Sequence, residues 1–249
     1  MSEIRLIVFD LTGTTVVDDN VVAKSLHQAA RESDLNISME ELQPFTGTNK
    51  MHLYQFMLAR EEEGNLSLKD FERYDFSEKH EEARKIFTRY SELVINHYRK
   101  HARAVPGAEE TFRWCHEQGI KVATVTGFHR DINNAIIKSL KWQEKNLIDL
   151  AVDVESINGA GPPAPFMIFY AMEKLGIQSE QEVINVGDTP ADLLAGFNAD
   201  ARGNIAVLTG SNSRKTLSQY NHTHIIGSVR ELPSLLEKDF TTTNPTFPA

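Results

Sequence analysis

Ile4-Arg5-Leu6-Ile7-Val8-Phe9-Asp10-Leu11-Thr12-Gly13-Thr14-Thr15 is the stretch on which the fold turns. A run of apolar, largely β-branched residues stops at a carboxylate and passes into a polar turn containing glycine. Such a run predicts a strand buried on both faces, the habit of a parallel sheet. In open α/β sheets ligands gather beyond the carboxyl ends of the strands, and Asp10 stands at such an end. Gly13 lets the chain turn tightly and brings backbone N–H groups near whatever Asp10 holds. Asp10 is therefore a candidate nucleophile, a metal ligand, or both. A strand followed by an Asx-type turn accounts for the Asp and the Gly equally well. The rest of the chain decides between the two.

Downstream, Asn20 to about Arg31 has helical spacing, and from there to His101 the patterns are helical, with no strand. Thr46-Gly47-Thr48 reads as a loop opening a helix over Asn49–Arg60. Glu61-Glu62-Glu63-Gly64-Asn65 reads as a solvated loop, and Glu78–Lys100 as a long helix. An all-helical insert directly after the first strand suggests a small cap domain over residues 19–102, with the core formed by 1–18 and 103–240. Val105-Pro106-Gly107 marks the return. Helix Ala108–Gln118 then ends at Gly119, and strand Ile120–Val125 ends at Thr126-Gly127. Helix Arg130–Leu140, strand Leu150–Val154 and a helix from Pro162 through Lys174 follow. Strand Glu182–Val186 runs into Gly187-Asp188-Thr189-Pro190-Ala191-Asp192, and strand Asn204–Leu208 into Thr209-Gly210-Ser211. Alternating strands and helices predict an α/β fold, a Rossmann-like doubly wound parallel sheet. The Thr-, Pro- and Asn-rich tail Thr241–Ala249 is expected to be disordered.

The 249 residues suffice for a substantial core, and the net charge of −9 argues against non-specific nucleic-acid binding. One cysteine, Cys115, excludes an internal disulfide, fits a reducing compartment, and lies in a helical pattern as a buried structural thiol. No apolar run approaches a membrane span, and the first strand starts too near the N-terminus for a signal peptide to precede it. A cytoplasmic chain, with no membrane partner, is the expectation.

Polar residues thus end three strands: Asp10, Thr126, and Asp188 with Asp192. A parallel sheet brings these ends to one edge. Carboxylates from two strands plus a backbone carbonyl suit Mg²⁺, a hard cation that prefers oxygen ligands. Such a cation offsets repulsion between Asp10 and an incoming phosphoryl group. Thr126 and the Gly127 N–H are candidates to hold phosphoryl oxygens. A strand-to-helix turn, with Thr189 or Asp188 as N-cap and Pro190 at N1, explains the Gly187–Asp192 sequence locally. It does not explain carboxylates at two strand ends.

These pieces, Asp10-Leu11-Thr12-Gly13-Thr14, Thr126-Gly127 and Gly187-Asp188 with Asp192, resemble the haloacid-dehalogenase superfamily of aspartate-nucleophile hydrolases in order and separation. Within it the chain is most similar to the phosphonatase-like subfamily of phosphonoacetaldehyde hydrolase. That likeness rests on Phe9–Thr15, Gly47-Thr48-Asn49-Lys50, Thr126-Gly127-Phe128-His129-Arg130 and Gly161–Met167. His222–Ile226 and Ser228–Pro233 add to it.

The resemblance implies Asp10 as nucleophile and Mg²⁺ on Asp10, the Thr12 carbonyl and Asp188, with Asp192 at or behind the metal. It implies a catalytic role for Thr126 beside Asp10 and Lys50, and that Thr12, Gly127, Lys50, His52 and Arg130 bind substrate, a small phosphorylated or phosphonate metabolite. Lys50 matches the cap lysine that forms an imine with an aldehyde substrate, so that an iminium accepts the electrons of a cleaved C–P bond. Most phosphatases of the superfamily carry an acid at the position of Thr12, and a hydroxyl is no useful acid near neutral pH. Two departures stand out. The histidine expected three residues after the lysine is Leu53, with His52 one residue early. The usual Lys or Arg that stabilises the phosphoryl charge is Pro162, for which Arg130 is the nearest substitute among the motifs. His129 reads as a surface or gate residue. The implied activity is Mg²⁺-dependent hydrolysis through an aspartyl-phosphate, in a monomer or homodimer. The rivals are a phosphate-monoester phosphatase of the phosphoglycolate-phosphatase type and a catalytically weakened binding or regulatory protein.

Overall fold

Strand β1 (Leu6–Asp10) buries Leu6, Ile7, Val8 and Phe9 completely, and only Asp10 at its end is partly open. This computed structural model describes residues 3–42, 45, 49–64, 66–77 and 80–240. After β1 come α1 (Val21–Glu32), α2 (Met39–Leu42), α3 (Lys50–Glu63), α4 (Glu81–His101) and α5 (Ala108–Glu117). Then follow β2 (Lys121–Val125), α6 (Arg130–Leu140), β3 (Leu150–Val152), α7 (Phe166–Leu175), β4 (Val183–Gly187) and α8 (Pro190–Asn198). The chain continues through β5 (Gly203–Val207), α9 (Arg214–Leu217), β6 (His224–Ile226) and α10 (Leu232–Asp239).

The strands form one sheet in the order β3-β2-β1-β4-β5-β6, and every pairing is parallel. This is the α/β Rossmann-like arrangement the alternation predicts. β1 lies in the middle, and the order reverses between β1 and β4, the point at which such sheets open a crevice for ligands. Alternate side chains of β1 face opposite layers. Leu6 and Val8 pack with Met167, Ile168 and Ala171 of α7 and with Ala195 of α8. Phe9, on the other face, meets Phe112 of α5 edge-on at 5.2 Å, and Phe112 meets the buried Trp142 at 5.1 Å. Cover on both faces is why β1 is apolar without alternation.

The chain divides into a sheet unit, 1–18 with 101–249, and a helical unit, 19–100. In the sheet unit the chain leaves and returns as a short antiparallel pair. Val16 bridges Ala104, Val17 N–H donates to the Arg103 carbonyl at 2.9 Å, and Val105 N–H to that of Thr15 at 2.8 Å. In the helical unit α4 buries Ala83, Ile86, Tyr90, Val94 and Tyr98, one stripe at helical spacing. The Tyr54 hydroxyl of α3 donates to the Leu26 carbonyl of α1 at 3.2 Å. Phe56, Phe71, Tyr74 and Phe76 form an aromatic cluster with centroids 5.1–5.5 Å apart.

Several elements differ from expectation. The helix expected from Pro162 begins only at Phe166, because residues 162–165 form the turn before it, with Pro165 as its N-cap. Glu61–Glu63 are the last turn of α3 rather than a loop, because glutamate is a good helix former and Gly64, at φ 68°, supplies the stop. The third strand ends at Val152, where Asp153 turns the chain by accepting from Ser156 N–H at 2.9 Å. β6 is a strand that the pattern does not announce: three residues are too few to display a period, and pairing with β5 makes them extended. Thr46-Gly47-Thr48, Asn65, Glu78 and the tail Thr241–Ala249 lie outside the described residues. Among the described residues no helix is long and apolar enough to cross a membrane.

Candidate active site

Asp10 ends β1, and the parallel register sets Phe9 beside Val186, so that Asp188 emerges one residue past β4 at the same edge. Asp188 leads into Thr189, the N-cap of α8, with Pro190 at N1. Asp192 at N3 completes a capping box: its Oδ2 accepts from Thr189 N–H at 2.9 Å and Oγ1 at 2.6 Å. The local turn reading and the site reading are therefore both realised, because the cap that starts α8 also delivers Asp192 to Asp10. One ligand oxygen from each of Asp10, Asp188 and Asp192 lies within 4.8 Å of the others.

Three carboxylates so placed cannot all be ionised comfortably. Burial, then the charges of Asp192 and Asp188, pushes the Asp10 carboxyl well above the usual carboxylate range. Burial and Asp192 push Asp188 up to about 8, against the Thr14 hydroxyl, which donates to its Oδ1 at 2.9 Å. Burial likewise raises Asp192, opposed by its bonds to Thr189. Buried, mutually repelling hard oxygen donors fit a divalent cation, whose charge would remove the conflict.

Several further residues shape this edge, and of these the sequence announced Gly13. Gly13, at φ 96°, passes so close to Asp188 that a Cβ would strike its carboxylate. The Thr209 hydroxyl donates to the Gly13 carbonyl at 2.6 Å and ties the loop after β5 to this turn. Asp18 acts electrostatically on Asp10 and Asp188, and its Oδ1 is buried without a hydrogen-bond partner. The sequence signals were of place alone: Thr14 lies in the Asp10 turn and Thr209 follows a strand end, while Asp18 carries none.

Thr126 follows β2 next to the Asp10–Val125 pairing. It is buried, and its Oγ1 accepts from Phe128 N–H at 3.2 Å. Gly127 is exposed, one residue further out. Arg130, the expected substitute for a cation at Pro162, is committed elsewhere. Its Nε lies 3.3 Å from Asp153 and 3.9 Å from Glu155. His129 is exposed and pairs with Glu155 at 3.2 Å. The charged neighbours that shift Asp10 are acidic throughout: Asp192, Asp188 and Asp18. Cys115 is buried and its thiol is pushed up by that burial to about 12, the inert structural thiol expected.

In the helical unit, Asn49 caps α3 by accepting from Met51 and His52 N–H at 3.0 and 3.1 Å. Lys50 is thereby the first residue of the helix. Its surroundings disfavour the ammonium and lower it to about 8, although the residue as a whole keeps some exposure. The positive end of the helix dipole acts in the same direction. His52 stacks on Phe76, ring centroids 4.2 Å apart and 6° from parallel, and burial lowers its pKa. A stacked ring at this place is a packing element of the helical unit.

Residues 4–200 match the sequence profile of the haloacid dehalogenase-like hydrolases. The phosphonoacetaldehyde hydrolase of Bacteroides fragilis is 24% identical over 262 residues, an alignment spanning 95% of this chain and 97% of that protein. Two crystal structures share the fold. A hydrolase from Pseudomonas syringae has a TM-score of 0.72 at 19% identity, with 94% of this chain and 98% of that one covered. A predicted phosphoglycolate phosphatase from Haemophilus somnus has a TM-score of 0.66 at 21% identity, over 94% and 99%. With an acidic cluster at the switch point of a parallel sheet, and a profile match over most of its length, the chain belongs to the haloacid dehalogenase-like hydrolases.

Proposed function

We propose that this hydrolase acts on a small organophosphorus metabolite, with Mg²⁺ and an aspartyl-phosphate intermediate, in the manner of the phosphonatases. The observation that carries the reading is the cluster of Asp10, Asp188 and Asp192, three carboxylates within 4.8 Å. Mg²⁺ held by Asp10, the Thr12 carbonyl, Asp188 and Asp192 would supply the positive charge that lets an anionic phosphoryl group approach a carboxylate. Asp10 attacks phosphorus in line, the bond to the leaving group breaks, and the phosphoryl group is carried as an acyl phosphate. Water then attacks phosphorus, inorganic phosphate leaves and the Asp10 carboxylate is restored. Thr126 Oγ1 accepts from Phe128, so its own proton is free to be donated to a phosphoryl oxygen, beside the Gly127 N–H.

Thr12 and Lys50 bear on the nature of the leaving group. Thr12 supplies no acid to protonate an alkoxide. An iminium needs none: neutral Lys50 adds to an aldehyde, water is lost, and the C–P electron pair is accepted to give an enamine. Hydrolysis then returns Lys50 and the dephosphonylated aldehyde. A lysine lowered to about 8 supports this role, since an appreciable fraction is neutral near neutral pH. The whole-length likeness to a phosphonoacetaldehyde hydrolase points the same way.

A second reading, a phosphate-monoester phosphatase with Lys50 only binding substrate, is favoured by the fold shared with a predicted phosphoglycolate phosphatase. Pro162, with Arg130 already paired to Asp153, favours reduced activity or a retained binding role. Phosphate release from phosphonoacetaldehyde and from a panel of phosphate monoesters, with Mg²⁺, separates the three. Release from the phosphonate with a borohydride-trapped adduct on Lys50 supports the first reading. Ester turnover without an adduct supports the second, and no release from any compound leaves a binding protein.

A further inference from the structure

Two amides sit where the sheet unit should be apolar. Asn185 in β4 and Asn204 in β5 are direct partners in the parallel ladder, and both are buried. Asn185 Nδ2 donates to the Asp192 backbone carbonyl at 3.0 Å and to Asn204 Oδ1 at 3.0 Å. Asn204 Nδ2 donates to the Leu193 carbonyl at 2.7 Å and to the Asn221 carbonyl at 2.8 Å. All four N–H donors are used, and because carbonyls only accept, these partners fix the orientation of both amides. The Asn204 backbone is anchored in turn: its N–H donates to Thr223 Oγ1 at 3.1 Å, and its carbonyl accepts from Thr223 N–H at 2.7 Å.

The two carbonyls taken from α8 belong to its first turn, and one is that of Asp192 itself. A helix packing on a sheet through apolar side chains alone can slide by fractions of an ångström. One hung by directional bonds to consecutive carbonyls cannot. α8 also approaches closely: a Cβ at Gly196 would fall on Asn204 Oδ1 and Asn185 Nδ2, so the helix is shaped to the amides. Valine or leucine in both strands would fill the interior without burying amides; what the amides add is the directional hold on α8.

We infer that Asn185 and Asn204 are positioning residues for the metal site: they set the height and rotation of the first turn of α8, and with it the Asp192 carboxylate. The inference rests on the reading of Asp192 as a metal-site carboxylate. Partners behind metal ligands typically change metal affinity about 10–100-fold when removed.

The test is Mn²⁺ binding to the full chain, followed by loss of the free-ion EPR signal. Native protein is compared with Asn185→Leu, Asn204→Leu, Asp192→Asn and the double variant Asn185→Leu/Asp192→Asn. A buried control, Ile136→Ala in α6, measures the effect of general destabilisation. We expect Asn185→Leu and Asn204→Leu to weaken Mn²⁺ binding about tenfold or more, and Ile136→Ala to leave it unchanged. If Asn185 acts through Asp192, the double variant binds no more weakly than Asp192→Asn alone. Native-like affinity in folded Asn185→Leu, with affinity lost in Asp192→Asn, overturns the inference. So does a double variant whose loss is the product of the two single losses. Unchanged affinity in Asp192→Asn overturns the metal-site reading and the inference with it. Should leucine at 185 prevent folding, Asn185→Ala removes the same donors and is read by the same criteria.

Discussion

Replacing Asp188 with asparagine should stabilise the metal-free protein. Asp188 is pushed up to about 8 from an ordinary value of 3.8. Between these values the folded chain holds a proton that the unfolded chain has released, so stability falls as pH rises through the window and levels off above it. Each unit is worth about 1.4 kcal/mol, so at pH 7 the conflict at Asp188 costs about 4 kcal/mol. Asp188→Asn keeps the shape and an oxygen to accept from the Thr14 hydroxyl, but removes the charge. Allowing for burial of the new amide, the expected gain is about 2–4 kcal/mol at pH 7. For a chain of this length that is a rise in Tm of about 5–15 °C. Calorimetric scans in EDTA at pH 5 and 7.5 measure it, and the gain should shrink to less than half at pH 5, which lies only about one unit above the ordinary value of 3.8 at which the unfolded chain takes up the proton as well. Added Mg²⁺ should reverse the order, raising the Tm of the native protein while leaving the variant unmoved. A variant no more stable than the native protein in EDTA at pH 7.5 refutes the reasoning. A native Tm flat from pH 5 to 8 does so as well.

Asp10→Asn should abolish phosphate release while leaving the circular dichroism spectrum native; substantial release would exclude the covalent route. Trapping on Lys50 by an aldehyde phosphonate and borohydride should accelerate with pH and level off above about 8, since the neutral amine is about a tenth of the population at pH 7 and mostly formed above 8. Mass spectrometry of the adduct across pH 6–10 checks this, and a rise continuing to pH 10 would mean an ordinary solvated lysine. Pro162→Arg should raise kcat/KM if the native site lacks a cation for the transferring group, by as much as about 10²–10³, the usual worth of one such preorganised group. Robust native turnover with no gain in the variant would show that another residue already fills that role.

The sheet was legible from residues 4–15 because burial on both faces leaves an unmistakable apolar run, and the same logic located β2, β4 and β5. β6 escaped because three residues display no period. Asp10, Asp188 and Asp192 were legible as a group because parallel strands send their carboxyl ends to one edge, a rule that needs no side-chain detail. Residues that act through hydrogen bonds across the chain left weaker traces. Thr209 bonds to Gly13 from 196 positions away. Asn185 had a signal, an amide inside the run Val183-Ile184-Asn185-Val186, but a lone polar residue in a strand does not name its partner. Arg130 misled for a related reason: only the fold reveals that Asp153, at the end of β3, is its counter-charge.

The pairing of residues 15–17 with 103–105 bears on how such a protein changes over generations. The sheet unit itself holds the exit and re-entry of the chain a strand spacing apart, about 5 Å. The segment between them is thus mounted like a cassette in a closed socket. Lengthening or shortening it alters closure entropy only slowly, and the bonds of residues 15–17 with 103–105 lie wholly in the sheet unit. Residues 19–100 can change in length and sequence while Asp10 keeps its place in the sheet unit.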